Sequence, residues 1–321
     1  MSHAIEVGEL CKTYEGGVEA LRGISFSVDG GSVFALLGPN GAGKTTAIKI
    51  LTTLSKATSG FAMVDGIDVE KDPQRVRESI GVISQRSGAD IDATGRENLF
   101  LQGRLFGVEK NVLAKRVDEL LDRFGLADAD DRFVRTYSGG MQRKLDVAMG
   151  VVQRPKILFL DEPTIGLDPE ARIEIWDEIA RLASGEEMTI LLTTHYLEEA
   201  DNLAASLAIV DNGEIVVTGT PHQLKQELRG DAIRANLAES AQNGKVESAL
   251  ASIDRVHDIE VDGTELRARA EDGAAAVPRV LSALDSAGVT VASITVARPS
   301  LDDVYLQHTG RRFDGEGAES E

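Results

Sequence analysis

Residues 32–49 read "SVFALLGPNGAGKTTAIK", and the order of chemistry in that stretch sets the fold class. Val33 to Leu37 are apolar without interruption, the pattern of a parallel strand buried on both faces. A turn of Gly38, Pro39, Asn40, Gly41, Ala42 and Gly43 follows, and the spacing predicts a helix from Gly43 to about Leu54. The stretch fits G-x-x-x-x-G-K-[ST]. Its glycines let backbone N–H groups wrap a chain of phosphates, and the helix N-terminus adds favourable potential for the anion. Lys44 supplies a point charge to the β- and γ-phosphates, and Thr45, with Thr46 beside it, offers a hydroxyl to Mg²⁺. A glycine-rich turn with an incidental lysine is the competing reading, and a strand before it and a helix after it weigh against that.

Working outward, "ILFLDEP" (157–163) is a second apolar strand, ending in two carboxylates before the chain turns at Pro163. Asp161 is placed to hold Mg²⁺, directly or through water, and Glu162 to reach a water aimed at the γ-phosphate. Strand C-termini are where α/β sites form, so a merely solvated acidic turn fits less well. Gln85, after the strand "IGVIS", can contact the metal and the attacking water, or be a loop glutamine. His195 closes the strand "MTILLTTH" (188–195) as a structural residue or a γ-phosphate sensor. Asp168-Pro169 carries the cap signature of a helix start. Strands alternating with helices around the P-loop imply a parallel, helix-flanked sheet.

The opening alternates as antiparallel strands do, with Ile5 and Val7, then Ile24, Phe26 and Val28 facing one way. Tyr14 lies in the loop between them, either a surface tyrosine or a ring for adenine to stack on. "FAMVDGIDV" (61–69) reads as a hairpin about Asp65-Gly66, residues 88–150 as a helical lobe, and "LAIVDNGEIVVTG" (207–219) as a strand-like run. The nucleotide-binding domain is expected over 1–228. From 229 to 308 the order is strand, helix, two strands, helix, strand, a small ferredoxin-like α+β appendage. Residues 309–321 read as a disordered tail.

Composition narrows the function classes. With 53 acidic against 34 basic residues, a formal charge of -19 repels phosphate, so neither nucleic acid nor an anionic membrane surface is an expected partner. One cysteine, Cys11, allows no internal disulfide and suits a reducing compartment. The opening "MSHAIEVGEL" has neither the basic start nor the apolar run of a secretory leader. No stretch approaches the ~18 apolar residues of a membrane span.

One element is left over. "RTYSGGMQRKLDVAMG" (135–150) predicts a helix from Gly139, with Ser138 at its N-cap and two glycines where an anion could approach the backbone. Alone this is an ordinary capped helix. Together the pieces resemble the ATP-binding cassette ATPases, in matching order over roughly residues 4–225. Tyr14 falls at the adenine-stacking aromatic, "GPNGAGKTT" at Walker A and Gln85 at the Q-loop. "YSGGM" falls at the signature, "ILFLDE" at Walker B, "GLD" with Asp168 at the D-loop, and His195 at the switch histidine. Tyr137 and Met141 depart from the commonest signature, which has leucine and glutamine there; altered packing is expected, not lost binding.

The resemblance implies a RecA-like P-loop core with an antiparallel β subdomain and a helical subdomain. It also implies ATP and Mg²⁺ as cofactors, and a dimer in which the signature of one subunit, Ser138, Gly139 and Gly140, caps the γ-phosphate held by Walker A of the other. With one set of motifs, the chain must pair with itself or with a similar ATPase subunit. "RPSLDDVYLQHTGRR" (298–312) is similar to the C-terminal motif of daunorubicin-resistance-type ATPases. That likeness implies export of a drug, lipid or ion through a separate integral membrane permease, with the chain peripheral on the cytoplasmic face. The alternative is a soluble cassette ATPase in iron–sulfur assembly or on nucleic acid or ribosomes. Those carry paired cassettes, coiled-coil insertions or basic arms, or lack such a tail.

Overall fold

In the computed structural model, residues 3–228, 230–239, 243–311 and 313 are described. Residues 3–221 form one unit and residues 222–311 a second, so the division falls earlier than the expected boundary at 228.

The first unit begins with β1 (His3–Thr13) and β2 (Glu19–Asp29), paired antiparallel. The run from Val33 is β3 (Val33–Leu37), every residue of it buried. After it come α1 (Lys44–Leu51), the hairpin strands β4 (Ser59–Val64) and β5 (Ile67–Asp68), α2 (Pro73–Ser79) and β6 (Ile80–Ile83). The expected hairpin turn is present, with Asp65 and Gly66 at φ 52° and 71°, the left-handed pair of a tight two-residue turn. Next are the helices α3 (Gly95–Leu105), α4 (Lys110–Arg123) and α5 (Gly139–Gly150), which belong to the same unit. Then follow β7 (Ile157–Asp161), α6 (Pro169–Gly185), β8 (Thr189–Thr194), α7 (Leu197–Leu203), β9 (Ser206–Asp211) and β10 (Glu214–Gly219). The run 207–219 is thus two strands. Asn212 and Gly213, at φ 48° and 81°, turn it back on itself.

Six strands form one sheet in the order β10-β9-β3-β8-β7-β6, parallel except for the β9–β10 hairpin. β3, β7 and β8 are buried throughout, which explains the unbroken apolar run of β3 and the apolar centres of β7 and β8, whose buried polar residues lie at their ends. The antiparallel sheet β2-β1-β4-β5 alternates instead, with Leu21, Ile24, Phe26 and Val28 turned inward on β2. Those side chains share a core with α1 and with Phe34, Leu36 and Phe159 of the parallel sheet. Phe26 and Phe34 stack across the seam at 5.2 Å. The parallel sheet is thereby fixed under a rigid lid of antiparallel strands, and its strand ends can hold side chains in place.

Helix α8 (Pro221–Glu227), whose first residue belongs to the first unit, leads into the second, followed by β11 (Asp231–Leu237), α9 (Asn243–Ala251), β12 (Val256–Asp262), β13 (Glu265–Ala270), α10 (Gly273–Ser286) and β14 (Val291–Ala297). The strands make an antiparallel sheet ordered β12-β13-β11-β14, the split β-α-β arrangement of a ferredoxin-like fold. Ile233, Leu237, Val246, Leu250, Leu266, Val280 and Leu284 fill the space between sheet and helices. A further helix, α11 (Leu301–Thr309), was not anticipated; it carries most of the C-terminal motif and starts at a full capping box of Ser300 and Asp303. Of the expected disordered tail, residue 312 and residues 314–321 lie outside the described residues, while Thr309 closes α11.

Candidate nucleotide site

Three adjacent strands and the next one outward deliver the site. The P-loop leaves the C-terminal end of β3, His195 that of β8, Asp161 and Glu162 that of β7, and Gln85 lies two residues past β6. Gly43 caps α1 at φ 108° with no side-chain cap, so the first N–H groups of the helix remain available to an anion. A side chain at this position would be strained and would meet the Ala20 carbonyl at 2.4 Å.

Lys44 is buried and curls back over its own loop. It donates to the carbonyls of Gly38 at 2.7 Å and Pro39 at 3.1 Å, and lies 3.5 Å from Glu162 Oε1. Burial pushes its ammonium below the ordinary lysine value, against the pull of Glu162 and Asp161. The Thr45 hydroxyl donates to Asp161 Oδ1 at 3.1 Å, and the Thr193 hydroxyl to the same oxygen at 2.7 Å.

Glu162 has a left-handed backbone, φ 49°, which a non-glycine residue adopts at a cost of order 1–3 kcal/mol. Two interactions hold it there, as its amide donates to both the carbonyl and the hydroxyl oxygen of Thr193 at 3.1 Å. The twist aims its carboxylate inward, where Gln85 Nε2 donates to Oε2 at 3.2 Å. His195 Nδ1 lies 3.3 Å from Oε1, without the alignment of a hydrogen bond. Burial pushes this carboxyl up, but His195 and Lys44 outweigh burial and leave it below the ordinary glutamate value.

Lys44, Thr45, Gln85, Asp161, Glu162 and His195 are therefore one cluster. Tyr14 stands at its edge, half exposed, with its hydroxyl 3.4 Å from Thr46 Oγ1 and the Lys12 ammonium 5.0 Å from its ring. Ser138, Gly139, Gly140 and Asp168 make a separate group. The Ser138 hydroxyl accepts from Met141 N at 3.2 Å, so the predicted cap is formed. Asp168 caps α6 by accepting from Ala171 N at 2.9 Å, and Ala171 packs against Gly140 so closely that an added Cβ would meet it at 3.0 Å. Among the described residues, no hydrogen bond or ion pair joins Ser138–Gly140 to the Lys44 cluster.

Two residues that hold the site escaped the sequence reading. Arg143 on α5 is buried, and its guanidinium donates to the carbonyls of Pro163 at 2.6 Å and Ser84 at 2.8 Å, stapling the turns after β7 and β6. Asp146, one turn on, accepts from the Ser87 hydroxyl at 2.8 Å and from Gly88 N at 3.1 Å. Burial lowers Arg143 and raises Asp146 from their ordinary values, each partly offset by the other. The available signal was two opposite charges three apart on the apolar side of a predicted helix.

A P-loop after one strand, with paired carboxylates after a near neighbour in the same parallel sheet, defines a P-loop nucleoside triphosphatase. Residues 21–165 match the family model described as ABC transporter, and residues 219–309 that of the ATP-binding protein DrrA1-3-like, C-terminal domain. The chain is 44% identical over 316 residues to the daunorubicin resistance ATP-binding protein DrrA2 of Streptomyces coeruleorubidus, covering 97% of each. It is 41% identical over 311 residues to the doxorubicin resistance ATP-binding protein DrrA of Mycobacterium tuberculosis, covering 95% of this chain and 93% of the relative. Among solved structures, cbiO1 from Clostridium perfringens, part of the ABC transporter complex cbiONQ, superposes with a TM-score of 0.66 at 28% identity, covering 71% of this chain and 92% of that one. The chain belongs to the ATP-binding cassette transporter family, as an ATP-binding and ATP-hydrolysing subunit.

Proposed function

We propose that this chain drives the export of a drug-like molecule through a separate integral membrane permease, working as a dimer of ATPase subunits on the cytoplasmic face. The observation that carries the dimer is the division of the motifs within one chain: Ser138–Gly140 and Asp168 form one group, Lys44 and Glu162 another, and among the described residues no direct hydrogen bond or ion pair joins them. A second subunit supplies the missing half to each site. Both relatives cited above are drug-resistance ATP-binding proteins over nearly their whole length, which supports export and gives no support to iron–sulfur assembly or nucleic-acid work.

In this reading Lys44 exchanges its carbonyl and Glu162 contacts for phosphate oxygens when ATP binds, and the N–H groups of the P-loop wrap the β-phosphate. Tyr14 stacks on adenine. Freed from Lys44, Glu162 accepts a proton from the attacking water, which Gln85 and His195 orient. The site fits Mg²⁺. Thr45 and Asp161 present a hydroxyl and a carboxylate oxygen 3.1 Å apart, the hard donors this ion takes beside substrate phosphates. Bound there, the ion neutralises charge on the phosphates.

Among the described residues no helix is long and apolar enough to cross a membrane, so the spanning path falls to the partner. A cleft of about 890 Å³ supports such docking, because Leu54, Leu105 and Phe106 line it and are exposed. The test is affinity purification of the chain from detergent-solubilised membranes of its host. A polytopic membrane protein should accompany it, and Leu105→Glu with Phe106→Glu should lose that protein while keeping ATP affinity. Retention of the same membrane protein by the double variant, or a chain confined to the soluble fraction, would count against the proposal.

A further inference from the structure

We propose that Glu199 is a positioning residue for hydrolysis, its buried carboxyl fastening the turn after Glu162 and helix α6 to the helix that follows His195. Glu199 is 1% exposed and lies four residues past His195, on α7. Its Oε1 accepts from the Thr164 hydroxyl at 2.8 Å and from the Trp176 indole N–H at 3.0 Å. Thr164 is two residues past Glu162 and fully buried; Trp176 lies on α6, whose N-cap is Asp168. A second fastener runs parallel: the Arg172 guanidinium of α6 lies 4.4 Å over the Tyr196 ring, which is 4.2 Å from the His195 ring.

A leucine would fill this space without the cost of burying a carboxyl. What a carboxyl adds is direction. Donors from two segments converge on a carboxyl carried by a third, and a buried network of this kind specifies one arrangement. Those segments carry Glu162, Asp168 and His195, so the three move as one piece. Trp176 is the only tryptophan in the chain, so its emission reports the state of this knot.

The proposal rests on the reading that Glu162 and His195 serve hydrolysis, and Glu162→Gln tests that separately. In the full-length protein, Mg-ATP hydrolysis and tryptophan emission are measured for wild type, Glu199→Ala, Glu199→Gln and Thr164→Val, with circular dichroism as the check on folding. Glu199→Ala should lower kcat tenfold or more with KM for ATP within twofold, and its emission should shift to the red and stop responding to Mg-ATP. Glu199→Gln keeps an acceptor oxygen for both donors and should stay within threefold of wild type. Thr164→Val keeps its shape, loses one donor, and should lower kcat at least threefold even if Glu199→Ala does not fold. The proposal is overturned by a folded Glu199→Ala, or a Thr164→Val, with wild-type kcat. It is equally overturned if activity falls only in proportion to the folded fraction. A Glu162→Gln variant hydrolysing at the wild-type rate would instead remove the reading of the site beneath it.

Discussion

Tyr137 stands where the family signature has leucine, and its surroundings show what the change required. The ring is buried, its hydroxyl donates to the Ala129 carbonyl at 2.7 Å, and the same oxygen occupies the place a Cβ on Gly95 would need, 2.4 Å away. Burial raises its phenol above the ordinary tyrosine value, so it remains a donor across the neutral range. The extra bulk of tyrosine is accommodated by the missing side chain on α3. Gly95→Ala should therefore cost about 1–3 kcal/mol, the usual range for overpacking. In a Tyr137→Leu background, where no hydroxyl competes for the space, the cost should fall below about 0.5 kcal/mol, a coupling a double-mutant cycle resolves. Urea unfolding followed at Trp176, in the same unit, measures all four proteins. An equal penalty in both backgrounds would contradict the pairing.

At the scale of elements, α11 shows how local chemistry starts a helix and tertiary chemistry holds it. Ser300 and Asp303 cap each other, and Asp303 then accepts from Arg234 on β11 at 2.9 Å. Burial pushes the Asp303 carboxyl up, but the Ser300 hydrogen bonds and Arg234 outweigh it, and the net value is below that of ordinary aspartate. A lowered carboxylate pKa stabilises the fold fully above the unfolded value of about 3.9, and that contribution is lost as pH falls through the lower folded value. Asp303→Asn should thus lower the melting temperature of the second unit at pH 7, and the gap should narrow steadily as pH falls below the unfolded value of about 3.9. Calorimetry at pH 7 and under that value checks this, and an equal gap at both would contradict it. The capping spacing of Ser300 and Asp303 was legible in the sequence, and the helix could have been read from it. The buried strands β3, β7 and β8 were legible because burial on two faces fills their centres with consecutive apolar residues. The β9–β10 hairpin was legible too, since Asn212-Gly213 between two apolar runs is the signature of a tight two-residue turn, and the sequence reading passed over it. Arg143 and Asp146 offered only their opposite charges three apart as a signal. Their partners Ser84 and Ser87 lie 59 residues away in sequence, and only the fold brings them together.

For the whole molecule, the P-loop cluster was readable almost residue by residue, because each motif sits at a strand end and the sheet order makes those ends neighbours. What one chain leaves open is the use of Ser138–Gly140, which among the described residues begin α5 and pack against Ala171. In the proposed dimer that sandwiches ATP, that helix start gains its anion, and hydrolysis and association become one event. The direct measurement combines Glu162→Gln with Ser138→Arg. Glu162→Gln should bind ATP but hydrolyse it at least roughly 100-fold more slowly, the lower range for a lost general base, so that Mg-ATP holds two subunits together. Ser138→Arg in that background should abolish the ATP-dependent dimer, because a bulky side chain blocks the cap, and leave ATP binding by the monomer nearly intact. Size-exclusion chromatography with crosslinking, run with and without Mg-ATP, reads the outcome. Loss of the dimer with retained ATP affinity is the predicted result; a double variant that dimerises with ATP as tightly as Glu162→Gln alone would show that Ser138 does not face nucleotide across the interface.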